Sequence, residues 1–341
     1  MTFPYLRDLL AQPQALANTL SAMLEMHSLA SLAGALQTGQ YRRIVLTGMG
    51  SSFYATYPLA LRLTAAGHWV VQVETSELNY YYSALLAPDT LLVVVSQSGA
   101  SAETLRLLEL NASRATVVGV TNEPQSSLAR AASTTILTHA GPEASVSCKT
   151  YLATLIALAW LGDQLLAGES EPWIPEMEGI PQVAATYLGG WRQHVEWLEQ
   201  ELRNVRHCFL VGRGPSLAAV GTGALILKEA SHLPAEGLSS AMFRHGPLEI
   251  VSPATYVLGF AGVAETAALN ARLISDVVRA GGRGAMVGFD AAGPYRLPSA
   301  PVACLSILEI LPVQMMTVAL AALYGFEPGR FRLGSKITTV E

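Results

Sequence analysis

The stretch LLVVVSQSGASAET, Leu91–Thr104, decides how this sequence folds. Its apolar run ends in three valines and reads as a strand buried on both faces. It breaks at once into Ser96, Gln97, Ser98, Gly99 and Ser101, and a helical pattern begins near Ala102. A strand that stops at a hydroxyl-rich, glycine-containing turn and then opens a helix presents backbone N–H groups and a positive dipole end. That is an anion site, and small hydroxyls there point to phosphate. The plainer alternative is a serine-rich loop with an N-cap.

Outward from this stretch, strands alternate with helical segments, the pattern of a doubly wound parallel sheet. Strands are expected at Arg43–Gly48, Trp69–Glu74, Ala115–Thr121 and Thr134–Thr138, with helices at about 13–37, Phe53–Ala66 and up to Asn111. Glu143–Leu202 reads as helical with one break at Gly168–Ile180, rich in Glu, Pro and Gly, which suits a surface connection. The second half then repeats the first. HCFLVGRG at His207–Gly214 resembles RIVLTGMG at Arg43–Gly50, and YVLGFAGVAETAAL at Tyr256–Leu269 resembles the Leu91–Thr104 region. Gly284–Asp290 is expected where Thr116–Asn122 lies, and Val302–Ile307 where the strand Thr134–Thr138 lies. An internal duplication accounts for the near-constant offset. Two domains follow, 1–170 and 171–341. The second copy carries Phe260, Ala261 and Val263 where the first has Ser96, Gln97 and Ala100, so its loop lacks the hydroxyls and one phosphate site per chain is expected, in the first half.

Composition narrows the function classes. The chain has 341 residues, 51% hydrophobic and 14% charged, with a formal net charge of -5. So little charge implies extensive interior or a large surface hidden against a partner. The acidic balance and the lack of a basic, aromatic-rich patch argue against nucleic acid. The strongest membrane-span candidate, Pro301–Gly325, is interrupted by Glu309, Pro312 and Gln314, and no signal peptide is evident. Three widely spaced cysteines suggest a reducing compartment, and the seven histidines form no metal motif. A cytoplasmic protein with no membrane partner and no metal is the expectation.

Three phosphate-loop readings compete. Gly48-Met49-Gly50 lacks the third glycine of a dinucleotide fingerprint, although Glu74 could serve as its acidic partner. No Walker lysine follows either strand. The third reading joins Gly50, Ser51 and Ser52 to Ser96, Ser98 and Ser101, two strand-end loops at the carboxyl edge of one sheet, where α/β ligands bind. Neither loop holds a lysine or arginine, so backbone N–H groups and hydroxyls must hold the anion. A second polar concentration, KEASHLPAEGLSSAMFRHG at Lys228–Gly246, contains Glu229 near a helix C-terminus, where the dipole disfavours a carboxylate. It also contains His245 in a constrained Arg-His-Gly-Pro turn. Lys336 lies in a short extended tail.

Taken together, Gly50-Ser51-Ser52, Ser96-Gln97-Ser98-Gly99, Gly141-Pro142-Glu143 through Lys149, Leu227-Lys228-Glu229, Arg244-His245-Gly246-Pro247 and Lys336 with Thr339-Val340-Glu341 resemble the double sugar-isomerase (SIS) family. The similarity is to the isomerase module of glutamine–fructose-6-phosphate aminotransferases, without their glutaminase domain. The resemblance implies two tandem SIS domains, each a doubly wound, flavodoxin-like parallel sheet flanked by helices. It implies that Gly50, Ser51, Ser52, Ser96, Gln97, Ser98, Ser101 and Ser147 bind a sugar phosphate. It gives Glu229 the C1/C2 proton, His245 of a neighbouring subunit the ring opening, and Lys336 the sugar carbonyl. It implies a homodimer and no cofactor. The reaction implied is isomerisation, deamination or deglycation of a hexose or hexosamine 6-phosphate; a non-catalytic phosphosugar sensor is the alternative. Ile226 and Thr222 replace a lysine and a glutamate of the family pattern.

Overall fold

The computed structural model describes residues 3–338, so Thr339, Val340 and Glu341 of the terminal motif lie outside the described residues. The chain forms two compact units, each built on one parallel sheet. The first holds Gln14–Glu143, Lys149–Glu178 and the residues from Leu333 onward. The second holds Ala144–Cys148, Gly179–Arg332 and the N-terminal residues up to Pro13. The division is therefore not a single cut in the chain, since each unit takes in a distant terminal segment.

In the first unit β1 (Arg43–Gly48), β2 (Val70–Glu74), β3 (Thr90–Val95), β4 (Thr116–Thr121) and β5 (Thr134–Leu137) run in the order β2-β1-β3-β4-β5, every pairing parallel. The opening stretch is β3. It pairs on both sides, with Leu92 opposite Val45 and Val117, and all six of its residues are buried. This is why its sequence shows no alternation: both faces are core. Leu92 and Val94 pack with Val45, Leu107, Val117 and Leu128 on one face. Removing such a side chain, as in Leu92→Ala, costs about 2–5 kcal/mol.

The second unit repeats the first four strands. β6 (His207–Gly212), β7 (Ala235–Ser239), β8 (Thr255–Phe260) and β9 (Arg283–Val287) run β7-β6-β8-β9, again all parallel. The order is that of β2-β1-β3-β4, as a duplication requires. One expectation fails here, and one strand has no expectation behind it. Val302–Ile307 is not a fifth strand: a 3-10 turn at Val302–Cys304 leads into the helix Leu305–Tyr324. A short apolar run carries no period of its own, and this one continues into twenty residues of helix. Conversely, the polar AEGLS of Ala235–Ser239 becomes the edge strand β7, whose polar, glycine-containing sequence hid it.

The helix Leu305–Tyr324 is long and apolar enough to cross a membrane by length and composition, yet 94% of its hydrophobic window is buried. It packs on the helices Leu217–Ser231 and Trp191–Glu201 despite Pro312 within it. Much of the low charge in the composition is accounted for by cores of this kind. The expected helix at 13–37 is two, Gln12–Glu25 and Ala30–Gln37, and the expected connection at Gly168–Ile180 contains the short helix Ile174–Met177.

Candidate functional site

Strand order in the first unit reverses between β1 and β3, so the loops that leave their carboxyl ends diverge and open a crevice. The two ends are close: Gly48 pairs with Val95, and a Cβ on Gly48 would lie 2.9 Å from Val95 O and 3.0 Å from Phe53 N. Gly50 takes a positive φ of 52° and starts the helix Ser51–Ala55. Ser51 is buried, and its Oγ bonds to no described residue; Ser52 is half-buried beside it. Such an unpaired buried hydroxyl is costly unless a ligand meets it.

The β3 loop is tightly constructed. Ser96 Oγ accepts from Gly99 N at 3.2 Å, and Ser98 Oγ accepts from Ala100 N at 3.3 Å. Ser101 caps the helix Ala102–Asn111, accepting from Thr104 N at 3.4 Å, with its Oγ 3.0 Å from Thr104 Oγ1. Gly99 sits at φ 58°, and a Cβ there would lie 2.3 Å from Ser126 Oγ. Only glycine fits that close approach. The loop thus offers a helix N-terminus, several hydroxyls and no cation, the donor set of a backbone anion site.

Asn122, at the end of β4, holds this loop to its neighbours. Its N–H donates to Gln97 O at 3.0 Å, its Oδ1 accepts from Thr138 Oγ1 and Ala140 N at 2.9 Å each, and its Nδ2 donates to Gly141 O. From Gly141 the chain reaches Glu143, whose carboxylate accepts from Thr150 N at 3.1 Å and Thr150 Oγ1 at 2.7 Å. Lys336 Nζ meets Glu143 Oε2 at 2.8 Å, the carboxylate side chain being fully buried. Two residues on, Thr338 O accepts from Ala102 N at 3.2 Å. The tail therefore docks on the first helical residue after the serine loop, bringing Lys336 into the unit that carries Ser96, Ser98 and Ser101. Neither Asn122 nor Glu143 has a role assigned from sequence: Asn122 directly follows β4, and Glu143 stands in the Gly141-Pro142-Glu143 motif.

Glu229, His245 and Ser147 belong to the second unit. Glu229 is half-buried near the end of the helix Leu217–Ser231, and Ser147 is half-buried in the segment Ala144–Cys148. On the same helix Thr222 and Ile226 are fully buried, and Thr222 Oγ1 has no hydrogen-bond partner among the described residues. His245 is exposed, in the loop after the short helix Ser240–Phe243, which Ser239 caps by accepting from Met242 N at 3.1 Å. Gly246 follows at φ 127°, a conformation only glycine adopts readily. Arg244 anchors the loop to Asp276 at 2.5 Å, and this hydrogen bond holds the Asp276 carboxyl below its usual range.

The second sheet has the same kind of edge. Gly214 and Gly262 take positive φ of 57° and 67°, as Gly50 and Gly99 do. The fittings differ. Val263 opens the helix Ala264–Arg279 with no side-chain cap. Glu309 comes up from the long helix instead: Ser216 Oγ donates to its Oε1 at 2.8 Å, while its Oε2 is buried with no hydrogen-bond partner among the described residues. Burial pushes Glu309 up to about 8, with the Ser216 hydroxyl and the nearby Gly262 backbone opposing.

Known proteins align with this architecture. Residues 39–162 match the SIS domain family. The glutamine–fructose-6-phosphate aminotransferase (isomerizing) of Pyrococcus horikoshii is 33% identical over 320 residues, 89% of this chain and 52% of that protein. The chain thus spans about half the length of the curated relatives it matches. The C-terminal domain of the glucosamine-fructose-6-phosphate aminotransferase from Francisella tularensis superimposes with a TM-score of 0.85 at 23% identity, covering 97% of this chain and 98% of that one. Glucosamine-6-phosphate deaminase from Thermotoga maritima gives 0.76 at 20%, covering 98% and 100%. The serine loop at the first edge and these alignments agree: residues 39–162 carry a SIS domain, and the chain as a whole is similar to about half of the aminotransferases.

Proposed function

We propose that the chain is a phosphosugar isomerase acting on a hexose or hexosamine 6-phosphate, either as an isomerase or deaminase or as a deglycase of a sugar-phosphate amine adduct. The observation that carries this reading is the docking of the lysine-bearing tail on the serine loop, Thr338 O on Ala102 N and Lys336 on Glu143. A group that addresses the sugar carbonyl then shares a unit with the group that holds the phosphate.

In this reading Ser51, Ser52, Ser96, Ser98 and Ser101 bind the phosphate, with Gln97 and Ser147 lining the sugar. Glu229 takes the proton from one carbon and returns it to its neighbour, since aldose–ketose interconversion needs a base that serves two adjacent carbons. His245 moves the ring-oxygen proton and is supplied by a second copy of the chain, in keeping with its exposure. Lys336, paired with a buried carboxylate, polarises the carbonyl oxygen in this reading; to form an imine it first passes its proton on.

Solvent deuterium exchange tests the reaction. Wild type is expected to incorporate deuterium at C1 or C2 of a hexose or hexosamine 6-phosphate, and Glu229→Gln to bind without exchange. Mixing inactive His245→Ala and Glu229→Gln chains is expected to restore activity; none after confirmed subunit exchange excludes the shared site. The buried, non-ionic Thr222 and Ile226 favour a second reading, a phosphosugar-binding protein without turnover. Binding with no exchange in wild type selects it.

A further inference from the structure

A cavity of about 880 Å³ opens in the second unit, away from the strand ends that carry the Gly214 and Gly262 loops. Its walls come from the residues before β6 and β7 and from the chain after the helix Leu305–Tyr324. The volume is that of a site for a compact organic ligand. Arg206, Arg330 and Arg332 line it, against one carboxylate, Glu327. None of the three guanidinium groups makes a hydrogen bond or ion pair with a described residue.

These arginines are not helix caps in disguise. The helix Leu217–Ser231 ends at the cavity, yet none of the three guanidinium groups bonds its terminal carbonyls. Leu227 O accepts from Ser231 Oγ and Leu233 N, and Ala230 O accepts from Gly329 N at 3.1 Å. The remaining wall is flat and aromatic. His232 stacks on Phe326 with ring centroids 4.7 Å apart and 23° between planes, and Tyr324 is fixed by donating to Val205 O at 2.6 Å. Guanidinium groups match phosphate oxygens in pairs, and stacked rings match a planar base.

We propose that this cavity binds a nucleoside diphosphate or triphosphate, the phosphates on Arg206, Arg330 and Arg332 and the base against the His232–Phe326 pair. Such a ligand acts as an effector because of what its walls continue into. Ser231 and His232 end the helix that carries Glu229, and Arg332 is four residues before Lys336. The chain between is pinned where Gly329 N bonds Ala230 O, and a Cβ on Gly329 would lie 2.5 Å from Ser145 Oγ. A ligand that immobilises Arg330 and Arg332 therefore holds the root of the lysine-bearing tail. The effector role rests on the catalytic reading of Glu229 and Lys336; the binding does not.

Calorimetry on the full chain with ADP, UDP, adenosine and inorganic pyrophosphate tests the site. The nucleoside diphosphates are expected to bind more tightly than either adenosine or pyrophosphate. Arg206→Gln and Arg330→Gln, which lie outside the phosphosugar loops, are each expected to weaken ADP about tenfold or more while leaving phosphosugar binding unchanged. No saturable binding, adenosine binding as tightly as ADP, or ADP binding untouched by both variants overturns the site. Hydrogen exchange reads the coupling without any turnover: ADP is expected to slow the amides from Gly325 to Thr338. Unchanged exchange beyond Arg332 in the ADP complex overturns the effector role.

Discussion

The first and second sheets present the same backbone edge and opposite chemistry. Each has a strand-end loop with a glycine at positive φ, Gly99 in one and Gly262 in the other, and each opens a helix there. At the first edge the fittings are hydroxyls that bond within the loop and the first turn of the helix after it, plus the buried Ser51 Oγ. At the second edge an acceptor from the chain itself, the Glu309 carboxyl, takes the Ser216 hydroxyl. In the proposed function the same anion-seeking geometry serves a ligand in one copy and the core in the other. A duplicated fold keeps its dipoles and its loop geometry; side chains decide which copy has a site.

The largest expected effect separating the edges is at their glycines. Gly99→Ala combines a left-handed φ with a contact 2.3 Å from Ser126 Oγ and 2.6 Å from its Cβ. It is expected to cost about 3–5 kcal/mol and to abolish phosphosugar binding. Gly262→Ala meets Ser216 Oγ at 3.0 Å and is expected to cost less, about 1–2 kcal/mol, with phosphosugar affinity intact. Urea unfolding and calorimetry read both, and equal losses at the two edges break the comparison.

Glu309 comes next. Its carboxyl is pushed up to about 8 by burial, so the folded chain keeps a proton that the unfolded chain releases near the ordinary carboxylate value. The folded state binds more protons through that window, and its stability falls as pH rises toward about 8 and levels off above. Glu309→Gln has no such proton. Wild type is expected to lose on the order of a few kcal/mol relative to the variant between about pH 5 and pH 9. Parallel stability–pH curves would show that Glu309 is not held protonated.

A smaller effect is expected at the link between the first edge and the tail. Glu143→Gln keeps the shape that accepts from Thr150 but removes the ion pair with Lys336. Turnover is expected to fall about tenfold, with the phosphosugar dissociation constant little changed. Smallest of all, Arg244→Gln releases the His245 loop from Asp276, for an expected loss of a few-fold in kcat at constant KM. A Lys at position 244 that restores activity supports a positioning role.

What the sequence made legible follows from how local each signal was. β3 and the helix Ala102–Asn111 lie where Leu91–Thr104 places them, because burial on both faces and a serine cap leave marks within a few residues. The Gly48–Gly50 and Gly212–Gly214 spacing exposed the duplication for the same reason. Val302–Ile307 misled because an apolar hexapeptide suits a strand or a buried helix equally, and β7 escaped because an edge strand tolerates Glu236 and Gly237. The Lys336–Glu143 pair spans 193 positions and leaves no trace in either segment alone. Glu309 stood out in the sequence only as an interruption of an apolar run. Its partner Ser216 and the nearby Gly262 backbone are brought to it by the fold.

The central claim is that one edge of two binds the phosphosugar, and titration calorimetry measures it most directly. With hexose and hexosamine 6-phosphates one ligand is expected per chain, with binding lost in a Ser98→Ala, Ser101→Ala double variant and retained in Ser216→Ala. Two ligands per chain, or binding that survives the double variant and disappears with Ser216→Ala, would contradict it.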